Sequence, residues 1–337
     1  MAGISYHRIF AAFAVAAAIW LVSPAMQAQA ETSPLVLETR IPLADVAGRI
    51  DHLAVDLQQG RLFVAELGNN TVDVISLASG KVIHRIDGLK EPQGLGFIPQ
   101  QNLLVIANGG DGSVWFVRTT DWSLAGKIEL GDDADNVRID AATGRVIVGY
   151  GDGALAVIDP LSLRQVGDIK LPGHPEGFRL DPAAQRAFVN IPDARRIVAA
   201  DLRSFKVIAT WKMADYAEHF PMALDHPGGE LAIVFRQPAM LALLDSRTGA
   251  IREKMTTCGD ADDVFFDDKR QQIYVSCGAG SVDIKQHGAT GLRDRAMVPT
   301  VKGARTSLFV PELDRLFVAA RAAENAGAAI LVFRPLP

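Results

Sequence analysis

Polar side chains able to do chemistry recur once per stretch of roughly forty residues: Asp51 and His52, Gln93, Asp135 and Asn136, His174 and Glu176, Glu218 and His219, Asp262 and Asp263, then Arg305 and Thr306. They mix carboxylates, imidazoles and one strong cation. His52, Glu176, His219 and Asp263 could supply nitrogen and oxygen ligands to a divalent metal, with Asn136 as a carbonyl donor. That donor set suits zinc, or calcium where the carboxylates dominate. A metal so held would polarise an ester or a uronate carboxylate, with His52 or His219 as acid or base. The plainer alternative is that Asp, Asn and His at these points cap turns and satisfy backbone donors. Anion binding is a second chemistry: Arg305 stands in an otherwise acidic set, with Arg195, Arg236 and Arg321 in adjoining loops. Guanidinium forks suit carboxylate or phosphate; the plainer alternative is solvated surface arginine. Gly149-Tyr-Gly-Asp-Gly153 has the glycine content of a phosphate loop, but no helical pattern follows, so it reads as a hairpin. The chain has no Cys-x-x-Cys-His haem site and no Gly-x-Ser-x-Gly elbow.

What must position these residues is a repeat. Val64, Val105, Val148, Val189, Ile233, Val275 and Val318 each end a short apolar run, 41 to 44 residues apart. Upstream lies a second column of Asp56, Pro99, Asp140, Asp181, Asp225, Asp267 and Pro311. Downstream come runs such as Val72-Asp-Val-Ile75, Val114-Trp-Phe-Val117 and Leu241-Ala-Leu-Leu244, and then in most units a fourth, such as Lys206-Val-Ile-Ala-Thr-Trp211. Each unit therefore holds four short strands separated by Gly, Asp, Asn and Pro. Four strands in about 40 residues is the period of a propeller blade.

The expected fold is an all-β, seven-bladed β-propeller, with blades at about 49–88, 89–130, 131–171, 172–213, 214–257, 258–300 and 301–337 plus 35–43. The seventh unit ends at Phe333 without a fourth strand. Leu35-Val-Leu-Glu-Thr-Arg-Ile-Pro-Leu43 resembles the fourth strands Gly126–Leu130 and Gly167–Leu171, so it should complete that blade and close the ring. In a propeller the first strand of each blade lines the central channel, and the loops leading into those strands surround one mouth. Asp51, His52, Gln93, Asn136, Glu176, His219, Asp263 and Arg305 are thus expected to converge there as ligand-binding candidates.

The first residues suggest export. Arg8 precedes an apolar run from Ile9 to Val22, then Ser23, Pro24 and the small-residue ending Ala28-Gln29-Ala30, with no acidic residue before Glu31. That is the order of a signal peptide, here residues 1–30, cut before Glu31. The run is short for a bilayer span, which argues against an uncleaved anchor, and no cysteine at the cut offers a lipid anchor. The formal net charge is −5 for the 337 residues, and losing Arg8 makes the mature chain −6 (−5 less +1). An acidic chain with scattered basic residues makes a poor nucleic-acid binder. Of the two cysteines, Cys258 precedes the first strand of blade six and Cys277 ends its second. A hairpin brings them together in an oxidising compartment, so a disulfide is expected; two separate buried thiols are the alternative.

Val64-Ala-Glu-Leu-Gly-Asn-Asn-Thr-Val-Asp-Val-Ile75 resembles the YVTN repeat, as does Val157-Ile-Asp-Pro160. Gly48–His52, Glu91-Pro-Gln-Gly94, Gly131–Asn136, Gly259–Asp263 and Gly303–Val310 resemble a bacterial YncE-like branch of those proteins. The similarity spans essentially the whole mature chain, although Val146-Ile-Val-Gly-Tyr150 departs from the repeat. The resemblance implies a periplasmic or secreted propeller, without stable membrane insertion, that binds a small molecule or a periplasmic protein. The alternative is a metal-assisted lactonase, hydrolase or polysaccharide lyase working at the same mouth.

Overall fold

Apolar runs of four to six residues are too short for a helix with a buried stripe, but long enough for a strand buried on both faces. The computed structural model describes residues 1–3, 33–225, 229–324 and 326–337; nearly all of the expected leader lies outside the described residues. Within Ser33–Pro337 the strands form seven four-stranded antiparallel sheets. Six sheets take their strands in chain order. The first is Leu53–Asp56, Arg61–Glu66, Thr71–Ser76 and Lys81–Ile86. The innermost strands are Leu53–Asp56, Pro92–Ile98, Ala134–Ile139, Phe178–Asp181, Ala217–Asp225, Ala261–Asp267 and Ser307–Val310. Each packs on the innermost strand of the next blade, and the last packs on the first, so the sheets close as a seven-bladed β-propeller.

No single core fills this ring. Seven apolar clusters occupy the seven seams between neighbouring blades. Successive side chains of a strand point to opposite faces, so Leu62 and Val64 enter the seam with blade seven while Phe63 and Ala65 enter the seam with blade two. This two-sided burial explains why the second strands read as unbroken apolar runs. The recurring column Val64, Val105, Val148, Val189, Ile233, Val275 and Val318 is 0% exposed throughout. Fourth strands are largely exposed, as in Ile251–Thr256.

The upstream column of aspartates makes the turns. Asp56 accepts from the amides of Gln58 and Gln59 at 3.0 and 3.2 Å, and its other oxygen takes the Arg61 guanidinium at 2.6 Å. Asp181 repeats this with Ala184 and Arg186. Where Pro99 and Pro311 replace the aspartate, a 3-10 turn ends in a left-handed Asn102 or Asp314. In every blade the pairing of the third and fourth strands carries a register irregularity, between Val74 and Ile75 in the first and Leu37 and Thr39 in the last. Such bulges add right-handed twist, which turns each sheet about its radial axis.

The ring closes as expected. Leu35–Pro42 pairs antiparallel with Ala329–Pro335, Leu35 opposite Pro335 and Pro42 opposite Ala329, and becomes the outer strand of blade seven. Cys258 and Cys277 form a disulfide with Cα atoms 5.9 Å apart. Among the described residues no helix is long and apolar enough to cross a membrane.

Candidate functional site: the polar channel mouth

Innermost strands have a sheet neighbour on one side only. Their other edge would leave backbone groups unpaired along the channel. Arginines supply part of the answer. Arg138 donates to the carbonyls of Phe178 and Val137 at 3.1 and 2.7 Å, Arg179 to Phe178 at 3.0 Å and Arg236 to Ala261 at 2.8 Å. The strands also approach closely where the polar loops lead in. A Cβ on Gly94 would lie 2.0 Å from the Asp135 carbonyl oxygen, and one on Gly177 would lie 2.3 Å from that of Phe220. Glycine is thus required directly after Gln93 and Glu176, and this holds both side chains at the rim.

The rim encloses a cavity of about 300 Å³ lined by Arg49, Gln93, Asp133, Asp135, His174, Glu176, Phe220, Arg236, Asp262 and Arg305, at least one from every blade. Beneath it a second space, about 20 Å³, is lined by Asp51, His52, Asn136, Arg138, Arg179 and Asp263 among others. That is room for a single water.

On one side two arginines and two aspartates interlock. Arg236 pairs with Asp262 at 2.6 Å and Asp260 at 3.4 Å; Arg305 pairs with Asp260 at 2.8 Å and Asp262 at 3.0 Å. Arg236 also lies 4.1 Å from the Phe220 ring centroid. Next to them Arg49 meets Asp51 at 2.8 Å. Across the mouth, the Gln93 amide donates to Asp133 at 3.2 Å. His174 Nδ1 lies 2.7 Å from the Gly151 carbonyl oxygen, which makes it the donor and leaves Nε2 3.7 Å from Asp133.

Burial pushes four carboxyls of the channel, those of Asp51, Asp135, Glu176 and Asp263, toward the neutral form. Asp263 rises to about 8, although it accepts the Ser307 amide at 2.7 Å. Glu176 rises to about 7 through burial and repulsion from Asp262. Asp135 rises well above the usual carboxylate range through burial and the charges of Glu176 and Asp51. Asp51 rises through burial against the opposing pull of Arg49, Arg305 and Arg321. Burial and the Arg138 charge depress His52 to about 3, so it is a neutral imidazole. Arg138 itself falls to about 9 through burial and its neighbour Arg179.

The structure brings Asp51, His52, Asn136, Glu176 and Asp263 around one space, and Gln93, Glu176 and Arg305 around the other. It does not bring His219 there. Blade five carries the same register slip as blade three, between His219 and Met222 as between Ala134 and Val137, so His219 occupies the place of Ala134, which faces a seam, and Phe220 that of Asp135. Phe220 takes the rim. His219 is buried in the seam, its Nε2 2.9 Å from the Arg196 carbonyl and its ring 5.5 Å from that of Phe235. Glu218 pairs with Gln237 instead, and Arg195 reaches only the Ala214 carbonyl. Without His219, and with the cationic guanidinium groups of Arg138 and Arg179 beside the remaining donors, the residues do not fit the metal site expected from His52, Glu176, His219 and Asp263. Among the described residues no group of three or more His, Cys, Asp or Glu side chains could hold an ion.

Sequence reasoning passed over Arg49, Asp133, Arg138, Arg179 and Phe220. The two channel arginines left a signal: Val137-Arg-Ile-Asp140 and Phe178-Arg-Leu-Asp181 put a charge at the same place in two otherwise apolar strands.

No family model matches the sequence, and no curated protein sequence matches it. Solved structures do match. A chain described as "Crystal Structure of Mitotic Checkpoint Complex" superposes with a TM-score of 0.78 at 14% identity, over 96% of this chain and 99% of the other. A chain of "Kuenenia stuttgartiensis Hydrazine Synthase" superposes with a TM-score of 0.74 at 15% identity, over 88% and 98%. At such identities the likeness establishes the fold alone. The protein is of the seven-bladed β-propeller class, and a fold by itself carries no function.

Proposed function

We propose that this chain is an exported, YncE-like member of the YVTN-repeat propellers that binds a small polar ligand in its channel mouth. One observation carries the reading: all seven blades place a side chain on a single cavity of about 300 Å³, which is the lower end of the size of small-molecule sites. Ring closure alone brings seven loops together, but a lining polar at every position except Phe220 is what a polar ligand requires. The Cys258–Cys277 disulfide supports export, because such bonds persist in oxidising compartments.

A thermal-shift and calorimetric screen of small polar molecules on the purified mature protein tests the reading. We expect ligands whose binding weakens at least about tenfold in Glu176→Gln and Arg305→Gln. Stoichiometric metal in the purified protein, with turnover of lactones or uronate oligomers, would replace this reading by the metal-assisted one. Mass measurement of protein recovered from an export compartment tests processing before Glu31.

A further inference from the structure

The charges of the mouth do not cancel evenly. Arg236 and Arg305 are matched by Asp260 and Asp262, and Arg49 by Asp51. What remains on the side of blades seven and one is Arg321, next to Arg305 and Arg49. Its Nε is buried without an acceptor, and its guanidinium has no hydrogen-bond or ion-pair partner among the described residues. What remains on the side of blades three and four is Asp133, Asp135 and Glu176, and the Glu176 carboxylate likewise has no such partner among the described residues. Near them the one basic side chain not matched elsewhere is His174. In a ring of seven, the seam of blades three and four faces blade seven, which carries Arg305 and Arg321, across the axis. The cavity is therefore polarised, with carboxyl groups in excess on one wall and Arg305 on the other, Arg321 standing next to Arg305.

We propose that the ligand of the mouth is a small zwitterion, its ammonium held by Glu176, Asp135 and Asp133 and its carboxylate directed to Arg305, with Arg321 next to it. The inference rests on the mouth being a small-ligand site and deepens that reading. Charge-assisted hydrogen bonds at both ends would supply affinity and fix orientation. The Phe220 face and the Gln93 amide line the walls between them. The raised proton affinity of Glu176 fits an unmatched carboxylate that a bound cation would ionise.

The test is calorimetry on the mature protein at pH 7.5 with glycine, 3-aminopropanoate, 4-aminobutanoate, 5-aminopentanoate and 6-aminohexanoate, against butylamine and butanoate. At least one zwitterion should bind about tenfold or more tighter than either singly charged compound. Glu176→Gln should weaken that zwitterion and butylamine by about tenfold and leave butanoate unchanged. Arg321→Gln should weaken the zwitterion and butanoate and leave butylamine unchanged. Zwitterions that bind no tighter than butylamine overturn the inference, whether or not the variants fold. Neutral polyols that bind better than all of these, and lose affinity in Gln93→Ala, overturn the zwitterion but keep the binding module. Failure of every probe at millimolar concentration removes both.

Discussion

Glu66 and Asp73 sit in the same corner of blade one, both fully buried. The Arg85 guanidinium forks onto Asp73 at 2.7 and 2.8 Å, while the Thr71 hydroxyl donates to Glu66 at 2.5 Å. One arginine cannot neutralise two carboxylates. Burial first, and then the neighbouring Asp73, push Glu66 up to about 8 from an ordinary 4.5. Below the ordinary value both folded and unfolded chains hold the proton. Between the two values only the folded chain holds it, so stability falls as pH rises through that window and the loss is complete above it. Glu66→Gln keeps the shape and removes the ionisation. Its urea midpoint should gain on the natural protein from pH 5 to 8.5, by on the order of 1 kcal/mol or more. Parallel pH curves for the two proteins would show that Glu66 is ionised throughout.

At the scale of strands and loops, two devices hold the mouth together. One is the close passage of innermost strands at Gly94 and Gly177. Alanine at Gly177 would drive a methyl group against the Phe220 carbonyl, a backbone atom that cannot swing aside. Overpacking of this kind costs about 1–3 kcal/mol, so Gly177→Ala should lower the unfolding midpoint and weaken mouth binding together. The other is the disulfide. Cys258 stands two residues before Asp260, and Cys277 precedes Gly278, whose amide bonds the Asp260 carbonyl at 2.8 Å. The bond thus ties down the loop that presents Asp260 and Asp262 to Arg236 and Arg305. The double variant Cys258→Ser, Cys277→Ser should lose about 3 kcal/mol in urea unfolding, as the chain-entropy model gives for a loop of this length. Ligand affinity should fall with it if the loop loosens in the native state.

Ser33–Pro337 form a closed ring with no central core, so each seam is held by the two blades beside it and the last seam depends on the strand Leu35–Pro42. A chain beginning at Leu43 would end blade seven at three strands and expose the edge of Ala329–Pro335. Exposed apolar edges invite association. That truncated chain should run as aggregate on size exclusion and lack a single thermal transition. A peptide of residues 33–42 supplied during refolding should restore monomer. A monomeric, cooperatively melting truncated chain would mean that closure contributes little.

Much of this was legible in the chain of residues because strand alternation and turn chemistry are local. Seven valine-type columns with aspartate turns report four strands per blade, and the unmatched seventh unit identifies Leu35–Pro42 as its missing strand. The pairing of Cys258 with Cys277 follows from the same hairpin arithmetic. Which way a side chain points at the channel is not local. It depends on register, which sets His219 in the place of the seam-facing Ala134 of blade three and Phe220 in that of the rim residue Asp135. It depends also on what lies across the axis: Arg138, Arg179 and Asp263 come from separate blades, and their shared burial arises only when the ring closes. The sequence by itself determined the blades, because those rest on hairpins between neighbours in the chain, and the closure, because one unit lacked a fourth strand and one strand at the far end of the chain lacked a unit. Only the tertiary structure decided which charges meet, because electrostatic partners in a ring are set by distance across it.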